Sequence, residues 1–217
     1  MDINNILKHV DHTELKAYAT IDDIFNLCDD AIKYNTASVC IPPCYIKRVH
    51  DKYGDKINIC TVVGFPLGYS VLDSKVVETK KALLDGANEI DMVINISDMK
   101  NKNYDNVLNE IKTLKEVCGN KILKVIIETC YLTEEEKIKA CELVTIAKAD
   151  YIKTSTGFGT AGATFEDIEL FKKHIGPNVK MKAAGGMKTL EDMEKFLELG
   201  ADRLGTSRAV SIVKSME

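Results

Sequence analysis

The stretch DGANEIDMVIN, residues 85–95, closes an amphipathic segment, turns on a glycine and enters a short apolar run. Gly86 suits the left-handed residue that ends a helix, and EIDMVIN reads as a buried strand of parallel type. The same joint recurs in ELGADRL (198–204), and AKADYIK (147–153) is close to it. Outward from these joints, short apolar runs continue along the chain: HVDHT (9–13), SVCIPP (38–43), NICTVVG (58–64), ILKVIIET (122–129), DYIKTST (150–156), VKMKAAGG (179–186) and DRLGTS (202–207). Helical patterns fill the gaps at 21–34, 43–53, 73–85, 101–118, 133–148, 164–174 and 189–198. Eight strand candidates alternating with helices predict an α/β fold, a single (β/α)8 TIM barrel with a short N-terminal helix and one domain over 1–217. The rival, a doubly wound open sheet, lacks a GxGxxG after the first strand.

Local signals agree with this reading. Asp73, Thr133 and Thr164 are the expected N-caps, with Glu136 completing a capping box on Thr133. Gly86, Gly119, Gly176 and Gly200 are the expected helix stops. Val76 and Val77 with Leu83 and Leu84, and Leu108 with Ile111 and Leu114, give the spacing of buried helix faces.

Composition narrows the function. The 217 residues are 45% hydrophobic and 29% charged, with a formal net charge of −4. Without a basic patch, neither a nucleic acid nor an anionic membrane is an expected partner, whereas a small anionic substrate needs only a few local cations. No signal-peptide pattern opens the chain and no apolar stretch is long enough to span a bilayer. The seven cysteines form no CxxC and are expected to be reduced thiols in a cytoplasmic protein. His9, His12, His50 and His174 show no metal-ligand spacing, so no metal is expected, and His12 is assigned a structural hydrogen bond.

Three charged residues interrupt apolar strand runs: Asp91, Lys153 and Lys182. Such charges are costly in a packed barrel unless paired or functional. Two lysines on adjacent strands suit Schiff-base chemistry. The nucleophile must be neutral, and both desolvation and a neighbouring ammonium favour the neutral form. Lys153 and Lys182 are therefore the candidate pair. Asp91 either moves protons or simply pairs with a lysine. The clusters TSTGFGT (154–160), AAGG (183–186) and GTS (205–207) follow late strands, where barrels bind phosphate through backbone N–H groups.

Taken in order, DHT (11–13), GFPLG (64–68), EIDMVINI (89–96), KTSTGF (153–158), KAAGG (182–186) and GTSR (205–208) resemble the deoxyribose-phosphate aldolases. The resemblance implies a class I aldolase that reversibly cleaves 2-deoxy-D-ribose 5-phosphate to acetaldehyde and D-glyceraldehyde 3-phosphate, in deoxyribonucleoside and carbohydrate catabolism. It implies Lys153 as the imine-forming lysine, Lys182 as its perturbing partner and Asp91 as the catalytic carboxylate. Asp11 and Thr13 would sit at the pocket floor, and Cys40 would line the substrate site. Thr156, Gly157, Gly185, Gly186, Thr206 and Ser207 would hold the phosphate. No cofactor is implied, and a homodimer is compatible with barrels of this kind. Some members carry a tyrosine-bearing tail, whereas this chain ends SIVKSME with no tyrosine after Tyr151. Proton exchange is then expected to use Lys182, Asp91 and water, or turnover to be slower. A phosphate-binding barrel isomerase, another Schiff-base aldolase and a catalytically silent phosphosugar binder are the competing readings.

Overall fold

The computed structural model describes residues 2–216. Its strands are β1 (Val10–Thr13), β2 (Ser38–Ile41), β3 (Ile59–Val63), β4 (Glu89–Val93), β5 (Ile122–Ile126), β6 (Tyr151–Lys153), β7 (Lys180–Ala184) and β8 (Arg203–Thr206). Each pairs in parallel with its sequence neighbour, and β8 returns to β1, closing the barrel. The helices are α1 (Ile3–Leu7), α2 (Ile21–Lys33), α3 (Ile46–Tyr53), α4 (Leu72–Leu84), α5 (Ile96–Lys100), α6 (Tyr104–Cys118), α7 (Glu134–Ile146), α8 (Phe165–His174), α9 (Leu190–Leu199) and α10 (Ala209–Lys214). This is the expected (β/α)8 barrel, entered through the short helix α1. Among the described residues, no helix is long and apolar enough to cross a membrane.

Alternation along the strands divides the molecule into two layers. Val10, Val39, Ile59, Ile90, Met92, Leu123, Val125, Ile152, Ala183 and Leu204 pack with the helices in one apolar core. Their strand neighbours point the other way, into the barrel, and many of them are charged. Burying about a dozen such aliphatic side chains, at roughly 1.5–3 kcal/mol each, supplies the main force that closes the barrel.

Capping follows the expectation at Thr133 and Thr164, and the Thr133–Glu136 capping box is formed. Further boxes, at Thr20 with Asp23 and Thr189 with Asp192, are not in the expected set. Three expectations are corrected. Helix α4 starts at Leu72 behind Val71, so Asp73 lies in its first turn and is not the cap. Gly176 does not take the left-handed conformation; α8 ends at His174 and the chain leaves through extended Ile175. The face of α4 toward the barrel is Lys75, Thr79 and Ala82, while Val77 and Leu84 are exposed. The reason is a buried lysine. The Lys75 ammonium donates to the carbonyls of Gly68 at 2.6 Å and Val93 at 2.8 Å and pairs with Glu110 of α6. Burial pushes the Lys75 ammonium down and the Glu110 carboxyl up.

This clamp fixes the loop GFPLG. Gly68 has φ +74, and a β-carbon there would lie 2.0 Å from the Ile94 carbonyl oxygen. Gly68→Ala is expected to destabilise the fold by about 1–3 kcal/mol, read as a lower urea midpoint. An unchanged midpoint would mean that the loop is not held at this point.

Candidate active site

The side chains inside the barrel form one ionic network. Asp91, at the middle of β4, accepts from Lys153 of β6 at 2.6 Å, from Lys182 of β7 at 2.7 Å and from Lys124 of β5 at 2.9 Å. Lys153 and Lys182 share the same oxygen, Oδ2. Asp11 of β1 accepts from Lys182, from the Arg203 guanidinium at 2.5 Å and from the Ser38 hydroxyl at 2.7 Å. Glu89 lies 2.5 Å from the Lys124 ammonium and 3.3 Å from Arg203. Strand registry explains the arrangement, since Asp91 pairs with Lys124 across β4–β5 and Lys153 with Lys182 across β6–β7.

Electrostatics fix the charge states. Burial alone would raise the Asp91 carboxyl, but Lys124, Lys153 and Lys182 outweigh it and hold the group well below the ordinary carboxylate range. Asp11 is lowered in the same way, burial being overcome by Lys182, Lys124 and Arg203. Burial opposes the charge of Lys182, yet Asp11 and Asp91 hold its ammonium above the ordinary lysine value. Lys124 is raised likewise, with Asp91 the largest force against burial. Lys182 is therefore held as an ammonium by Asp11 and Asp91.

Among the described residues, Lys124 makes three ion pairs, Lys182 two and Lys153 one. Lys153 also differs in access. It closes strand β6 and lines a cavity of about 230 Å³, whereas Lys124 and Lys182 are fully buried beneath it. The same wall carries Thr13, Thr156, Gly157, Gly185, Gly186, Thr206 and Ser207. Asp11, Asp91 and Lys182 are not on that wall and lie in the network below. Cys40 packs with Cys60 and Val62 in a small apolar cluster against Leu15 and Phe65.

The polar wall residues differ in what they leave free. Thr13 donates its hydroxyl to the Asp11 carbonyl at 2.7 Å. Thr156 gives both its hydroxyl and its N–H to Glu128, and its oxygen accepts from the Phe158 N–H at 3.0 Å. Its hydroxyl and N–H are thereby committed to the turn it stands in. Thr206 Oγ1 accepts from the Arg208 N–H at 3.0 Å. Gly162 packs under the paired glycines: a β-carbon on it would lie 2.4 Å from the Gly185 carbonyl carbon. Lys16 and Arg208 add positive charge at the rim, Lys16 already engaged by Glu14 at 3.0 Å.

Several participants are absent from the sequence-derived set. Lys124, Glu89 and Arg203 carry the signal that picked out Asp91 and Lys182, a charge within an apolar strand run, and could have been found by it. Glu128 lies in the run ILKVIIET (122–129) and carries the same signal, although β5 itself ends at Ile126. His12 keeps a structural hydrogen bond, to the Thr206 backbone. It is buried, its Nδ1 has no hydrogen-bond partner among the described residues, and burial lowers its pKa to about 4. Two buried trios, Cys40–Cys60–Asp91 and Asp11–Cys60–Glu89, bring possible metal-ligand atoms within 4.8 Å of one another. Every carboxylate in them already faces Lys124, Lys182 or Arg203, so cationic side chains fill the space a metal ion would take.

Comparison with known proteins gives the chain's family. Residues 5–208 match the family described as DeoC/LacD family aldolase. A deoxyribose-phosphate aldolase of Clostridium botulinum is 72% identical over 217 residues, covering 100% of this chain and 98% of that protein. One from Clostridioides difficile is 60% identical over 213 residues, covering 98% of this chain and 97% of its own. The deoxyribose phosphate aldolase of Aeropyrum pernix, solved as a tetramer, superposes with a TM-score of 0.90 at 28% identity, covering 99% of this chain and 92% of its own. With its barrel, its buried lysines and this likeness along its length, the chain belongs to the DeoC/LacD family of aldolases.

Proposed function

We propose that this chain cleaves 2-deoxy-D-ribose 5-phosphate reversibly to acetaldehyde and D-glyceraldehyde 3-phosphate through an imine on Lys153. One observation carries the choice of nucleophile: of the three lysines around Asp91, Lys153 alone lines the cavity. Its Nζ adds to the aldehyde carbon of the open-chain sugar, and the carbinolamine loses water to give the imine. Removal of the proton from the C3 hydroxyl breaks the C2–C3 bond. Glyceraldehyde 3-phosphate leaves, and an enamine remains on Lys153. Protonation at C2 and hydrolysis release acetaldehyde and restore the amine.

Protons move through the network beneath. Asp91 Oδ2 touches both Lys153 and Lys182, so it links the reacting nitrogen to a second ammonium. Asp11, Arg203 and Lys124 hold that pair in place. On the same cavity wall, Gly157, Gly185, Gly186 and Ser207 supply the backbone and hydroxyl groups for a phosphate, with Arg208 adding charge. The seven cysteines are all unpaired, which supports a reducing, cytoplasmic setting.

The test is incubation with deoxyribose 5-phosphate, borohydride reduction and peptide mapping. The expected result is a single adduct on Lys153. An adduct on Lys182 would reverse the two lysine roles, and a folded protein without any adduct would favour the isomerase or the silent binder.

A further inference from the structure

Four described residues other than glycine have positive φ: Asn35, Lys102, Glu128 and Lys148. Three are exposed, in turns. Glu128, with φ +52 and ψ 68, is buried, just past the end of β5. Its conformation has a simple geometric origin. The N–H groups of Ile127 and Thr129, two residues apart, reach the carbonyls of Lys153 and Thr154, which are adjacent. Glu128 is thus one residue too many on the β5 side, a bulge opposite the reactive lysine. Bulges re-aim a side chain that regular pleating would send elsewhere.

The re-aimed carboxylate goes to the turn that follows Lys153. It accepts the Thr156 N–H at 3.2 Å and the Thr156 hydroxyl, and the hydroxyl oxygen accepts the Phe158 N–H. Among the described residues no salt bridge joins Glu128, although it is only 1% exposed. A carboxylate buried without a cation is costly; here the Thr156 N–H and hydroxyl meet it, with the Cys130 thiol 3.8 Å from its Oε1. That turn forms the cavity wall at Thr156, Gly157 and Phe158. Two carboxyl oxygens suit the place because both can accept from Thr156, whereas a carboxamide would set an N–H against one donor.

We propose that Glu128 is a positioning residue that acts through Thr156 and sets the turn 156–158 for the phosphate end of the substrate. This rests on the aldolase reading above. The bulge couples the two ends of the site: the extra residue lies level with the carbonyl of Lys153, while its side chain shapes the wall some residues further on.

The experiment compares kcat and KM for 2-deoxyribose 5-phosphate and for unphosphorylated 2-deoxyribose in wild type, Glu128→Gln, Thr156→Val and the double variant. Loss of a charge-assisted hydrogen bond predicts a rise in KM for the phosphorylated sugar of about tenfold or more. The rise for the unphosphorylated sugar is expected to be much smaller, and the double variant no worse than the poorer single one. Equal losses on both sugars would make Glu128 a merely structural residue and overturn the inference, as would an unchanged KM or effects that multiply in the double variant. If Glu128→Gln does not fold, Thr156→Val carries the same comparison from the other side of the bond. A wild type that is inert on both sugars and forms no borohydride adduct with acetaldehyde would overturn the aldolase reading itself. An active wild type with an unaffected Glu128→Gln would overturn only the inference.

Discussion

Replacing Lys153 by methionine is expected to end retro-aldol turnover, by a factor on the order of 10⁵, and to end borohydride trapping with it. The size follows from the chemistry. Without the amine there is no imine, so the carbanion formed by C–C cleavage has no electron sink. Lys124 and Lys182 cannot substitute, because both are fully buried beneath the cavity and held by carboxylates. Folding is expected to survive, since Asp91 keeps its contacts to Lys182 at 2.7 Å and Lys124 at 2.9 Å. The check is a coupled assay for glyceraldehyde 3-phosphate beside a urea titration. Turnover above about one part in a thousand, in a folded variant, would move the nucleophile elsewhere.

The second large effect is expected at Asp91. Asp91→Asn leaves Lys124 and Lys182 paired only with Asp11 and Glu89 and removes the one ion pair that Lys153 makes among the described residues. Removing one partner of a buried ionic group costs about 3–5 kcal/mol, and with Asp91 moving protons as proposed above, kcat is expected to fall about 10²- to 10⁴-fold. The pH dependence has a definite sign. The folded carboxyl lies below its unfolded value because the three lysines outweigh burial. Its stabilising contribution is therefore present above the unfolded value, near 3.9, and is lost as pH falls through the lower, folded value. Wild type should lose stability in acid more steeply than Asp91→Asn. Urea midpoints from neutral to acidic pH would measure this; equal stability at neutral pH would mean that the carboxylate does not hold the network together.

Much of this was readable in the chain itself. The glycine joints before EIDMVIN and DRLGTS and the apolar runs between amphipathic segments were enough for the barrel. Asp91, Lys153 and Lys182 stood out because a charge within a buried run has few explanations. Other features depend on distances that spacing does not carry. Val77 and Leu84 read as core because a helix period cannot foresee that Lys75 takes the inner face. Thr156 read as a phosphate donor because its commitment to Glu128 arises from a chain segment 28 residues away. Glu128 is a charge within the run 122–129, but the surplus residue that re-aims its side chain leaves no mark in the spacing.

The charged lumen also bears on how the strands find their partners. Along β4, Glu89, Asp91 and Val93 share a face, and so do Ile90 and Met92. A slip of one residue against β5 would put carboxylates among the helices, an error that hydrophobicity alone forbids. A slip of two would preserve the greasy face and escape that penalty, yet it would bring Val93 or Glu89 opposite Lys124 in place of Asp91 and leave Lys153 without its counter-charge. The ions of the lumen thus also distinguish correct assembly from its nearest counterfeit, and a chain that misaligns by a full pleat has no comparable set of pairs to settle into.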